Sequence, residues 1–71
     1  MRTREEHLAW CKERALEYLD AGDLANAITS MGSDLQKHPQ TQPSPVLLRL
    51  AMMYYDQGDP AAIRRWIEGF R

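Results

Sequence analysis

The chain has 71 residues, with nine Lys and Arg against ten Asp and Glu and a formal net charge of −1. That length holds one small domain, in which about 60% of the chain's surface can be buried. The single cysteine, Cys11, excludes an internal disulfide framework. Residues 1–40 carry five basic and seven acidic groups and residues 41–71 carry four and three, a balance that argues against nucleic acid held by phosphate attraction.

A first helix is expected over about Thr3–Ala21, with Thr3 as its cap and Glu6 placed to complete a capping box. Leu8, Cys11, Ala15, Leu16, Tyr18 and Leu19 share one side of the helical wheel. Glu13, Glu17 and Trp10 share the other. An aromatic on a polar face has two readings. Trp10 either folds over its neighbours or stands exposed in an isolated monomer as an anchor for a partner or a second copy. His7 and Cys11 are four apart, a spacing that suits two metal ligands, but a structural site needs about four. The only other histidine, His38, is expected at the far end of the next helix. No metal site follows. Cys11 reads as a small buried apolar group, His7 as a surface residue, and His38 as a positive group suited to a helix C-terminus.

Gly22 supplies a left-handed residue that stops the first helix, and Asp23 can cap the second, expected over about Leu24–Lys37. Leu24, Ala27, Ile28, Met31 and Leu35 form its apolar stripe. Gly32 in its interior costs about 1 kcal/mol against Ala and can admit a close neighbouring helix. Pro39 ends the helix. Three prolines in residues 39–45 predict a stiff, extended linker.

Ser44 and Pro45 open a third helix, Val46–Gln57. Leu47, Leu50, Ala51 and Tyr54 are expected in the core. Leu48, Met52 and Tyr55 form a second stripe, and Val46 and Met53 widen the first on its other flank. A helix apolar on most of its circumference is normally buried on most sides. Four short helices cannot surround one of their own so completely, so part of this surface is expected to meet another chain. Gly58 marks the next turn. A fourth helix with Asp59 as cap and Pro60 at its first position is expected to reach about Phe70. Ile63, Trp66, Ile67 and Phe70 form its buried stripe, while Arg64, Arg65, Glu68 and Arg71 read as solvated charges.

The run Tyr18–Pro39 resembles a tetratricopeptide hairpin: Tyr18, Gly22, Ala27, Met31 and Pro39 fall on the family's pattern, and Ala15 on its small position. Cys11 and Arg14 stand where the family has Trp and Leu, and Asp34 stands at a second small position. Tyr54-Tyr55-Asp56-Gln57-Gly58-Asp59 echoes Tyr18-Leu19-Asp20-Ala21-Gly22-Asp23, with Gly58 falling 36 residues after Gly22. The resemblance implies an all-α fold of four helices in two antiparallel hairpins, turning at Gly22 and Gly58. Hairpin 1 covers about residues 3–38, the linker 39–45 and hairpin 2 about 45–70. It also implies a surface for a peptide or protein, with Ala9, Lys12, Leu16, Leu19 and Asp20 at the groove-facing places. The whole chain further resembles short phage- and prophage-encoded proteins, on the stretches Arg4–Lys12, Tyr18–Pro39 and Ile67–Phe70.

No paired carboxylates, phosphate-cradling loop, metal cluster or nucleophile signature occurs in the sequence, so neither an enzyme nor a cofactor is expected. Acidic residues are expected on solvated faces or at caps. The function expected is a protein–protein interaction module, a phage or prophage accessory protein acting on a host or phage protein. The alternative is a self-assembling structural subunit. A homodimer is expected, with Trp10, Leu48, Met52 and Tyr55 as candidate interface residues. The longest apolar run, Val46–Tyr55, is broken by Arg49 and falls short of the about 20 residues of a membrane span. Met1–His7 shows no apolar signal region, so the expected location is the cytoplasm of a bacterial host.

Overall fold

The computed structural model describes residues 3–70, and the expectations that rest on Met1, Arg2 and Arg71 lie outside the described residues. Among the described residues the chain forms helices α1 (Arg4–Asp20), α2 (Leu24–Leu35), α3 (Pro45–Asp56) and α4 (Pro60–Glu68), and no strand. None of these helices is long and apolar enough to cross a membrane.

Each start is built by the side chain that the sequence offered for it. Thr3 Oγ1 accepts from Glu6 N while Thr3 N donates to Glu6 Oε1, both at 3.2 Å, which closes the capping box. Asp23, Ser44 and Asp59 accept the backbone N–H groups of Asn26, Leu47 and Ala62.

The two short turns are copies of one device. Gly22 N donates to Leu19 O at 3.0 Å and Asp23 N to Tyr18 O at 2.9 Å. Gly58 N donates to Tyr55 O at 2.9 Å and Asp59 N to Tyr54 O at 3.2 Å. Both glycines are left-handed, at φ 80° and 63°. This is the Schellman arrangement, in which a glycine beyond the helix lets two orphan carbonyls be satisfied. Each aspartate then belongs to both helices: its N–H closes the first and its carboxylate opens the second.

Helix α2 stops earlier than Lys37 for a reason downstream of it. Thr41 Oγ1 donates to Leu35 O at 2.7 Å, and Thr41 N to His38 O at 3.1 Å. Residues 36–41 therefore fold back across the helix end, and His38 and Thr41 are buried. The stiff extended linker expected from three prolines is confined to its last residues. Helix α4 likewise ends at Glu68, short of Phe70, which packs edge-on to Trp66 with ring centroids 5.0 Å apart.

The core is shared unequally. Leu8, Cys11, Ala15 and Leu19 of α1, Ala27, Ile28, Met31 and Leu35 of α2, and Ile63, Trp66 and Ile67 of α4 are buried together. Helix α4 touches both α1 and α2. Helix α3 touches α2 and α4 but not α1. The molecule measures 35 × 24 × 16 Å. Because α3 packs against α2 and α4 alone, the rest of its circumference stays uncovered, and Ala51 is its one buried residue.

Candidate docking surface

Two places distinguish the surface. The first is a polar clamp between α1 and the end of α2. His7, Trp10 and Arg14 are three and four apart, and so share one face of α1. Across from them lie Asp34, Lys37 and His38. Asp34 is 2% exposed and carries the clamp. Its Oδ2 receives Arg14 Nε at 2.8 Å and Ser30 Oγ at 3.3 Å, while its Oδ1 receives Lys37 Nζ at 3.1 Å. Its backbone carbonyl accepts His7 Nε2 at 2.6 Å, so that nitrogen carries a proton. Burial pushes the Asp34 carboxyl up, but the hydrogen bonds from Lys37 and Arg14, with their charges, outweigh it and hold the group below its ordinary value.

Several expectations are corrected here. Asp34 is not a solvated acid but a buried one. His7 is not at the surface. It is buried, and the ring of His38 lies 5.3 Å from its own. The fold-back at Thr41 carries His38 inward, away from the role of an exposed charge at a helix end. His38 Nδ1 accepts from Gln40 N at 3.1 Å. His38, expected far from His7, lies beside it, yet the described residues include no group of three or more side chains able to hold a metal.

Trp10 belongs to the clamp. The Arg14 guanidinium stands 4.9 Å from its ring centroid, the Lys37 ammonium 5.5 Å, and the His7 ring 5.5 Å. It is half-buried and packs against the core. The indole is engaged by two cations of its own fold, in keeping with the reading in which Trp10 folds over its neighbours.

The face of α1 that the resemblance assigns to a peptide is also closed from within. Lys12 Nζ donates to Glu68 O at 3.1 Å, so it caps the end of α4. Asp20 pairs with Arg64, which is therefore not merely a solvated charge. Leu19 is buried and Leu16 half-buried, while Ala9 and the paired Asp20 stay exposed. Helix α4 occupies that side of the first helix pair.

The second place is α3, and here the surface is open. Of the four residues expected in the core, only Ala51 is buried; Leu50 and Tyr54 are half-buried and Leu47 is exposed. Leu48 is half-buried because it fills the space beside Gly32, where an added Cβ would lie 3.3 Å from Leu48 Cδ2. Met52 is 53% exposed and Tyr55 41%. Together with Ala25, Ile28 and Thr29 of α2 they line a shallow cavity of about 150 Å³. On the opposite flank Val46 is 71% and Met53 48% exposed. Leu48, Met52 and Tyr55 are thus brought together along the α2–α3 seam, while Trp10 lies on a helix that does not touch α3.

The clamp was missed by sequence reasoning, although a signal for it existed. His7, Trp10 and Arg14 repeat on one face of α1, and Asp34, Lys37 and His38 cluster within five residues at and just beyond the end of α2, so the two groups are complementary. Comparisons of the chain with protein-family models, curated proteins and solved structures returned no match.

Proposed function

We propose that the chain is a small helical protein–protein interaction module whose docking surface is the uncovered side of α3. The observation that carries this reading is a 12-residue helix, PVLLRLAMMYYD, of which Ala51 alone is buried. Large apolar side chains left in water by the fold mark interaction sites. Tetratricopeptide-like architecture, with two antiparallel hairpins, is part of the same proposal. Its support is the duplicated turn, with the same pair of hydrogen bonds at Gly22 and Gly58 and the same aspartate cap after each. The partner we propose is a bacterial host or phage protein, in keeping with the resemblance to phage-encoded chains, met in the host cytoplasm. The peptide groove on α1 is not part of this proposal, since α4 fills it. A self-assembling subunit is the second reading, favoured by the same apolar side of α3.

The test is capture from a bacterial lysate by three forms of the chain: wild type, Met52→Glu and Glu13→Lys. The proposal expects one stoichiometric protein retained by wild type and by Glu13→Lys, and lost with Met52→Glu. A protein captured equally by all three would sink it.

A further inference from the structure

Helix α3 carries a pattern that its own fold does not use. Arg49, Met52, Met53 and Asp56 are spaced three, one and three, so they form one stripe, on the side of the helix away from buried Ala51. All four are exposed. Among the described residues neither Arg49 nor Asp56 takes part in an ion pair; the pairs present are Arg14–Asp34, Lys37–Asp34 and Arg64–Asp20. Read along the axis, the stripe is a positive charge, two methionines and a negative charge.

Such a stripe is complementary to itself when reversed. If a second copy of α3 lies antiparallel across it, residue numbers facing each other sum to a constant. Choosing Met52 opposite Met53 gives 52 + 53 = 105, and Arg49 opposite Asp56 also gives 49 + 56 = 105. Both charge pairs then form at once, about 10 Å apart along each helix at 1.5 Å per residue, on either side of a methionine contact. A two-fold axis requires this property, that each patch be its own complement. Met–Met contact suits it because the flexible thioether side chains adapt to one another.

We propose that the partner of the α3 surface is a second copy of this chain, paired antiparallel about a two-fold axis between Met52 and Met53, with Arg49 of each copy against Asp56 of the other. This rests on the reading of α3 as a docking surface and takes the second of the two occupants named above, the self-assembling subunit, in place of a host or phage protein. A parallel pair would set Arg49 against Arg49 and Asp56 against Asp56, and like charges in register are how a wrong orientation is rejected.

The experiment is charge exchange, read by sedimentation equilibrium. Wild type is expected to be dimeric at micromolar concentration. Arg49→Asp and Asp56→Arg, each alone, are expected to weaken the dimer by about tenfold or more, because every cross-pair becomes repulsive. Combined in one chain they should restore it. The two single variants mixed should form a heterodimer that neither forms with itself. All four positions lie on the surface, and unchanged helical circular dichroism shows that each variant is folded. A dimer indifferent to both charge reversals overturns the proposed register, and a monomeric wild type overturns self-pairing altogether. Capture of another protein that is lost with Met52→Glu would, in that case, still support α3 as a docking surface, so the two readings fail separately.

Discussion

Asp34 shows how one side chain can hold two helices in register. Its carboxylate takes Arg14 from α1 and Lys37 from its own helix, and its carbonyl takes His7 from α1. Replacing it with Asn leaves Arg14 and Lys37 without their counter-charge, and is expected to cost about 1.5–3 kcal/mol, the range for a hydrogen bond to a charged group. Denaturant titration measures this, and a change below a few tenths would show the clamp to be ornamental. The pH dependence has a fixed sign. The folded carboxyl titrates below its ordinary 3.8, so its contribution is fully present above about pH 4 and is lost as pH falls through the lower folded value. The stability gap between wild type and Asp34→Asn should therefore be level from about pH 8 to 5 and close only in stronger acid.

At the scale of elements, the turns and the α2–α3 contact make opposite predictions for adding one carbon to glycine. Gly22 and Gly58 have no heavy atom within 4 Å of a built Cβ, so nothing resists the methyl group except the left-handed backbone. Gly22→Ala and Gly58→Ala should each cost about 1–2 kcal/mol, and Gly22→Val more. Wild-type stability in these variants would contradict the turn geometry. Gly32 is helical, and Ala there gains about 1 kcal/mol of helix propensity. The mobile end of Leu48 can yield to it. We expect Gly32→Ala to be neutral or slightly stabilising. Gly32→Leu should instead cost about 1–3 kcal/mol, by prising α3 from α2. Equal thermal shifts for the two would refute this account of the contact.

Across the whole molecule, cohesion is graded. Helices α1, α2 and α4 share the buried core, while α3 rests on α2 and α4 with one buried residue and a hydrogen bond from Trp66 Nε1 to Leu47 O at 3.0 Å. Local opening is favoured where few apolar contacts are lost. Under dilute conditions that keep the chain monomeric, the amides of α3 are expected to exchange with solvent well before those of the α1–α2 pair. Protection should rise in α3 alone when its surface is covered. Uniform exchange of all four helices at the global unfolding rate would show the chain to be a single cooperative unit instead.

The local punctuation of this fold was legible in the sequence. Thr3, Asp23, Ser44 and Asp59 open helices, and Gly22 and Gly58 close them. These signals act through backbone groups within a few residues, and so depend little on what lies elsewhere. The apolar stripe of α2 and the core position of Trp66 were legible for a related reason, since the helical period decides which residues can face inward together. Tertiary structure alone decided the rest. His7, Asp34 and His38 were read as surface groups because polar residues usually stay in water; the fold-back at Thr41 and the arrival of Arg14 supplied the partners that make their burial tolerable. The α1 surface was read as a groove, and α4 filled it. Leu47, Leu50 and Tyr54 were read as core because α3 is apolar, yet α3 meets only α2 and α4, so much of its apolar circumference faces no other helix. Periodicity tells which residues of a helix face the same way, but how much of that face is covered depends on where the other helices lie.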